Sequence, residues 1–192
     1  MTTGHPTNSA RRTILIQGLA AALCGAFIGG LRVAVASEAG DGGTVSIELF
    51  APSGKSGGVV SVAKLVKSDA DWRHQLSAEA YRVTRHAGTE AAFSGRYANN
   101  HADGLYRCIC CDTALYDSKT KYESGTGWPS FWQPISSLNV VKASDRSLGM
   151  QRDAISCRRC DAHLGHVFDD GPKPTGLRYC MNSVALNFTA RA

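Results

Sequence analysis

The sequence lacks a concentrated run of charge of either sign, and charged side chains make up only 19% of its 192 residues. Residues 1–36 hold three arginines and no acidic residue, and beyond them 18 basic residues are balanced by 16 acidic ones. Nucleic-acid binding requires a clustered basic face, so the composition gives no indication of it. The sequence also lacks long internal repeats and low-complexity tracts, which argues against a repeat architecture. With 43% hydrophobic residues, the chain is predicted to form one soluble domain preceded by a tail.

Residues 1–36 have the three parts of an export signal. A polar start ends at Arg11 and Arg12, an apolar stretch runs over 14–31, and small residues at 34–36 offer a cleavage site. The paired arginines resemble the bacterial twin-arginine signal. The alternative is an uncleaved membrane anchor, but several Gly residues dilute the apolar stretch. We therefore predict a cleaved signal, a periplasmic location and no stable membrane association afterwards.

The rest of the chain is predicted to consist of an extension and one catalytic domain. Residues 37–66 form the extension, partly flexible, with a marginal strand over 45–50 and a clearer one from residue 59 onward. The domain then covers 67–192. It begins with a short helical segment, since Ser68 and Ser77 are suited to cap two short helices.

From residue 105 the pattern changes to short apolar segments separated by Gly, Pro, Asp, Asn and Ser. Such segments with frequent turns predict antiparallel strands rather than a parallel α/β arrangement. The fold class predicted is therefore mainly β (α+β), with antiparallel sheets of short strands. The predicted strands are 105–109, 121–123, 140–142, 154–157, 164–168 and 184–188.

Two Cys-x-x-Cys pairs predict a metal site. Cys108 and Cys111 form the first pair, and Cys157 and Cys160 form the second. A pair two residues apart grips one ion from a single turn, and two pairs complete a tetrahedron, which is typical of one structural zinc. The alternatives are two disulfides or four buried thiols. Cys110 complicates the first pair, but its spacing does not suit a ligand.

Cys180 is left over when the cysteines are sorted by spacing. It lies between Arg178 and Asn182, which share its face if the segment is a strand. Charge and hydrogen bonds from such neighbours are expected to lower the pKa of the thiol and make it a nucleophile. The alternative is that Cys180 is a small buried hydrophobic residue.

Three motifs resemble the methionine sulfoxide reductases of the B type. They are Gly127-Trp128-Pro129-Ser130-Phe131, the run from Cys157 through His163 and His166 to Phe168, and Arg178-Tyr179-Cys180-Met181-Asn182-Ser183. The resemblance extends over 68–189. It implies a β-tent-like domain that reduces the R epimer of methionine sulfoxide, mainly in oxidised proteins or peptides.

The resemblance also implies the roles of individual residues. Cys180 would attack the sulfoxide and end as a sulfenic acid. Trp128 and Phe168 would bind the substrate. The remaining catalytic residues would be His163 and His166, of which one donates a proton to the oxygen, together with Asn182, Arg178 and Asp170. The two histidines also admit a second interpretation, as ligands of a mixed Cys/His zinc site.

The chain departs from the family pattern at Thr126. Many members carry a cysteine there, which forms a disulfide with the sulfenic acid that a thioredoxin-like protein then reduces. A hydroxyl cannot form that disulfide. We predict that an external thiol of thioredoxin type reduces the sulfenic acid directly, with Cys110 as the alternative internal partner. Two other classes stay open here, a non-catalytic zinc module and a disulfide exchanger that uses a Cys-x-x-Cys pair.

Overall fold

Antiparallel strands dominate the computed structural model, which describes residues 42–145 and 152–191. Two short helices precede most of the strands. The helices are α1 (Asp69–Gln75) and α2 (Ala78–His86). The strands are β1 (Thr44–Phe50), β2 (Ser56–Ala63), β3 (Gly104–Cys108), β4 (Ala114–Asp117), β5 (Lys121–Tyr122), β6 (Ser130–Phe131), β7 (Val140–Asp145), β8 (Arg152–Cys157), β9 (His163–Phe168), β10 (Arg178–Met181) and β11 (Leu186–Ala190).

The strands form three sheets in the described part of the chain. One is the hairpin β1-β2, one has six strands in the order β5-β6-β10-β9-β8-β7, and one has three in the order β11-β3-β4. Within each sheet, every pair of neighbouring strands is antiparallel. The predicted fold class, mainly β with short antiparallel strands and a short helical segment, is confirmed.

Both helices begin where the serines predict. The Ser68 side chain accepts a hydrogen bond from the backbone N–H of Asp71, and Ser77 caps α2 in the same way through Ala80. α2 is followed by Ala87, which has a left-handed φ of 50°, a conformation that glycine usually takes at the end of a helix.

An aromatic cluster joins the three-stranded sheet to the six-stranded sheet. Tyr116 of β4 stacks on Phe131 of β6 at a centroid separation of 4.4 Å, and Tyr106 of β3 meets the same ring edge-on. The Tyr116 hydroxyl donates a hydrogen bond to the sulfur of Met181 in β10. All four side chains are fully buried. Because Met181 is fixed in this core, the opposite face of β10 is turned away from it.

The β1-β2 hairpin is formed by the strands expected at 45–50 and from residue 59 onward. Its register runs from Thr44–Ala63 to Phe50–Ser56. The side chain of Asn139 holds it to the domain by accepting from the backbone N–H of Glu48 and donating to the Glu48 carbonyl, both at 2.8 Å. Lys64, just after β2, pairs with Asp161.

The strands β4 and β6 were not predicted, β10 was considered only as a possibility, and the bounds of the predicted strands moved, most of all in β7 and β11. β7 continues to Asp145, and β11 begins at Leu186 because 183–185 form a single 3-10 turn. The helices of the described residues have seven and nine residues, and neither is long and apolar enough to cross a membrane. The predicted export signal at 1–36 lies outside the described residues, and the domain boundaries stay predictions.

Candidate active site and metal site

Four cysteines from two loops form one cluster in the described part of the chain. The sulfur atoms of Cys108, Cys111, Cys157 and Cys160 all lie within 4.8 Å of one another. The Cys108–Cys160 separation is 3.6 Å and the Cys111–Cys157 separation is 3.5 Å. Both are too long for a disulfide, whose sulfur–sulfur distance is about 2.05 Å. They are close to the edge of a tetrahedron with zinc–sulfur bonds of about 2.3 Å, which is about 3.8 Å.

The two loops that carry these cysteines have the same backbone geometry. Each begins at the last residue of a strand, β3 or β8, and closes with a hydrogen bond from the N–H of Asp112 or Asp161 to the first cysteine's carbonyl, at 2.9 Å. Both aspartates have left-handed φ angles, of 60° and 56°. The turn aims both thiols of a pair at one point, which is why two distant segments build one site.

The donor set fits a soft divalent cation. Hydrogen bonds from neighbouring thiols lower the pKa of Cys111, and hydrogen bonds within the same buried cluster raise the pKa of Cys108. Four adjacent thiolates would repel one another. All four can therefore ionise only when a cation is bound between them. Four cysteines therefore could hold a metal ion. His163 and His166 are not part of the cluster.

Cys180 lies on β10 and opens into a separate cavity of about 280 Å³. Alternation along the strand directs Met181 into the core and leaves Arg178, Cys180 and Asn182 along the cavity. The other described lining residues are Thr89, Thr126, Trp128, Gly165, His166, Phe168 and Met181. Of the cysteines that the structure describes, Cys180 alone lines this cavity.

A bulge in β9 brings His163 and His166 together. Residues three apart would face opposite sides of a regular strand. The register with β8 shifts between Ile155 and Ser156, so that His163 pairs with Ser156 while Gly165 pairs with Ile155. The two imidazole rings consequently meet at 5.2 Å. His166 is directly opposite Cys180 in the β9–β10 register, whereas His163 is buried and is not among the residues that line the cavity.

Arg178, Phe168 and Asp170 form one side of the cavity mouth. The Arg178 guanidinium lies 4.3 Å from the centre of the Phe168 ring and binds both carboxylate oxygens of Asp170, at 2.8 and 2.7 Å. This pairing lowers the pKa of Asp170. Asp170 is exposed and does not line the cavity, so it acts on the site only by holding Arg178.

The pKa of Cys180 is raised, contrary to the expectation from its neighbours. Burial is the largest cause, and the Thr126 hydroxyl, the charge of Arg178 and the Ser130 hydroxyl lower the pKa without compensating for it. Of the two neighbours that the sequence indicated, Arg178 lowers the pKa of Cys180, whereas Asn182 is not among the causes of the shift. The burial that outweighs the lowering groups could not be predicted from the sequence, because burial is set by the packing of β6 and β9 on either side of β10.

Thr126 occupies the loop in front of Cys180. Its hydroxyl is 3.9 Å from the Cys180 sulfur and 2.8 Å from the Ser124 hydroxyl, which in turn lies 2.8 Å from that of Ser130. A chain of hydroxyls therefore reaches the thiol. Cys110 instead is buried beside the cysteine cluster, where its carbonyl accepts from Gln75.

Comparison with known proteins identifies the family. A SelR domain matches residues 76–190. The chain is 59% identical over 125 residues to the peptide methionine sulfoxide reductase MsrB of Thioalkalivibrio sulfidiphilus (strain HL-EbGR7), covering 64% of this chain and 90% of that protein. It is 55% identical over 127 residues to the MsrB of Herminiimonas arsenicoxydans, covering 66% and 93%. The chain belongs to the methionine sulfoxide reductase B family. It is an oxidoreductase that reduces methionine sulfoxide.

Glu90 is a residue of this reductase that the sequence reasoning missed as a site residue. Its side chain is buried and accepts from the backbone N–H groups of Ser183 and Val184, at 2.7 and 3.0 Å. Its own N–H donates to the Asn182 side chain, and its carbonyl accepts from the Trp128 indole. Glu90 thus holds Asn182 and Trp128, two of the residues that line the cavity. The only sequence signal was its place within the stretch 68–189 over which the family resemblance extends.

Gly165 of the reductase is required by a close approach of two strands. A Cβ atom at this position would lie 2.1 Å from the Cys180 carbonyl oxygen. Any side chain would therefore push β9 away from β10 and separate His166 from Cys180. The glycine between the two histidines was visible in the sequence, but its role depends on the strand pairing.

Proposed function

We propose that this enzyme reduces the R epimer of methionine sulfoxide, mainly in proteins and peptides, through nucleophilic attack by Cys180. The observation that carries the proposal is a half-buried thiol at the base of a cavity whose walls include Trp128 and Phe168. An apolar wall suits the methyl group of the substrate, and the thiol is the only described cysteine that reaches it. Because the walls differ on each side, the cavity distinguishes the two epimers at sulfur.

The thiol of Cys180 supplies the one proton that the reduction of the sulfoxide consumes, so no other proton donor is required. The Cys180 thiolate attacks the sulfoxide sulfur, the oxygen passes to the cysteine, and methionine leaves with the electron pair while Cys180 becomes a sulfenic acid. The thiol proton ends on the oxygen. His166, opposite Cys180 across the strand pair, is suited to carry it, and Arg178 stabilises the thiolate. Asn182, held by Leu164 and Glu90, would orient the substrate.

An external thiol of thioredoxin type is proposed to regenerate Cys180. Two external thiols would reduce the sulfenic acid to the thiol, with release of water and formation of their own disulfide. Thr126 stands where a resolving cysteine would be required, and Cys110 is buried at the metal cluster, outside the cavity of Cys180. Both observations support direct reduction from outside.

The test is the intact mass of the reduced enzyme after one equivalent of each separated epimer of N-acetyl-methionine sulfoxide. We expect the R epimer to add one oxygen atom, located on Cys180 by peptide mapping, with no loss of free thiols otherwise. The S epimer is expected to leave the mass unchanged. A mass lower by two hydrogens would instead indicate a disulfide and restore Cys110 as the resolving residue.

One structural zinc ion is the second part of the proposal, held by Cys108, Cys111, Cys157 and Cys160. Four thiolate ligands leave no open position, so the ion would support the fold without activating water. We expect metal analysis to find one zinc per chain. Stripping it with a chelator is expected to lower the melting temperature by about 20 °C or more, because binding of a structural zinc ion contributes roughly 10 kcal/mol or more.

Two variants distinguish a cysteine that would bind the metal from a neighbouring cysteine that would not. Cys157→Ser is expected to lose the metal and the stability, whereas Cys110→Ser, the same chemical change one residue from a ligand, is expected to keep both. An unchanged melting temperature after complete removal of the metal would contradict the structural role.

We also propose that the enzyme is exported through the twin-arginine signal in residues 1–36 and acts in the periplasm after cleavage. Folding before export would allow the metal to be loaded in a reducing compartment, and the bound thiolates would then be protected from oxidation. Its partners would be oxidised proteins and a thioredoxin-like reductant, without nucleic acid or stable membrane association.

A further inference from the structure

Phe93 is the most exposed of the large hydrophobic side chains in the described part of the chain. It is 73% exposed, compared with 58% for Val59 and 45% for Leu49, both on the β1-β2 hairpin. It lies in a loop directly after Glu90, in which every residue from 91 to 94 is exposed. Exposing a phenylalanine to water is unfavourable, and the fold gains no buried core from it.

The backbone at Phe93 adds a second unfavourable feature. Residues 91–94 form a turn closed by the N–H of Ser94 and the carbonyl of Ala91, and Phe93 occupies its third position with φ of 65°. That position favours glycine or asparagine, and a bulky residue there is strained. Neither the turn nor the core requires a phenylalanine, so another role has to account for it.

The position of Phe93 relative to the cavity indicates that role. Its backbone N–H donates to the carbonyl of Gly127 at 2.8 Å, and its ring packs against Gly127 closely enough that a Cβ there would lie 2.8 Å from ring atoms. The neighbours of Gly127 on both sides, Thr126 and Trp128, line the cavity of Cys180. The exposed ring is therefore continuous with the rim of the substrate cavity.

We propose that Phe93 is a specificity-determining residue that contacts the polypeptide flanking the methionine sulfoxide. The cavity of about 280 Å³ holds the sulfoxide side chain, and the ring beside it offers apolar surface for the neighbouring residue of an extended or unfolded chain. A free amino acid has no such neighbour, so Phe93 would favour peptide substrates. This inference rests on the proposed preference for protein-bound sulfoxide.

The test compares two substrates in the Phe93→Asn variant. Asparagine tolerates the left-handed backbone and removes the ring. One substrate is an unstructured peptide with a single methionine-R-sulfoxide between two leucines, and the other is N-acetyl-methionine-R-sulfoxide. We expect kcat/KM for the peptide to fall about fivefold, through KM, while kcat/KM for the small substrate changes less than twofold. Phe93→Tyr, which keeps the ring, is expected to retain the peptide activity.

Val59→Asn is the matched control, because it also replaces an exposed apolar residue but lies on the hairpin. It is expected to leave both rates unchanged. An equal loss on both substrates in Phe93→Asn would show that the ring only supports the Gly127 loop, and no loss on either would show that it contacts nothing. Either result would overturn the inference while leaving attack by Cys180 intact, since that step is tested on the small substrate by mass.

Discussion

Cys180→Ser is expected to lower turnover of methionine sulfoxide by at least about a thousandfold, because a hydroxyl at this position is neither ionised nor nucleophilic enough to attack sulfur. The fold and the metal are expected to persist. Serine has nearly the same volume, and Cys180 stands outside the cysteine cluster. The measurement is steady-state reduction with a dithiol as electron donor, accompanied by metal content and thermal unfolding of the same sample.

Cys110→Ser is the matched control for Cys180→Ser, since both variants exchange a thiol for a hydroxyl. We expect it to retain turnover with a small dithiol and with a thioredoxin-like protein donor. Full activity in Cys180→Ser would contradict the proposed nucleophilic attack by Cys180. Loss of activity in Cys110→Ser with the protein donor alone would leave the attack in place and identify Cys110 as the resolving residue.

Thr126→Cys is expected to change the resting product of the reaction from a sulfenic acid to a disulfide. The Thr126 hydroxyl is 3.9 Å from the Cys180 sulfur, and Thr126 lies between two glycines with positive φ angles, Gly125 and Gly127. A disulfide needs the two sulfurs at about 2.05 Å. After one equivalent of substrate, trapping of the sulfenic acid by a dimedone-type reagent is expected to fall at least about tenfold.

The loss of two free thiols per turnover is the second readout for Thr126→Cys, and a disulfide joining positions 126 and 180 is expected on peptide mapping. Thr126→Ser keeps a hydroxyl in the same place and is expected to behave as the unmodified enzyme. Undiminished sulfenic acid in Thr126→Cys would mean that the loop cannot bring position 126 to Cys180. The residue at position 126 would then not determine how the enzyme is recycled.

Much of the local structure could be predicted because it depends on neighbours in sequence. Ser68 and Ser77 start helices as expected, since a cap bonds to a backbone N–H three residues on. The cluster of four cysteines was predictable for the same reason, as each pair of cysteines is positioned by its own turn. Strands β3, β5, β8 and β9 were found near their actual bounds because turn residues separate them.

The missed elements depend on distant partners. β6 is a strand of two residues, too short to carry any periodicity, and it exists because Ser130 and Phe131 pair with both β10 and β5. The left-handed Ala87 and Phe93 contradict residue preference. Preference is a local average, and tertiary contacts override it when the surrounding structure fixes the backbone.

Spacing and residue type were sufficient to find the four cysteines that could hold a metal ion, the leftover thiol Cys180 and the family motifs around it. The surroundings of that thiol depend on the tertiary structure. Burial raises the pKa of Cys180 above what its neighbours imply, a bulge brings His163 to His166, and Glu90 ties Trp128 to Asn182. Each of these depends on strands that meet across many residues, and the distance between such strands is set by packing.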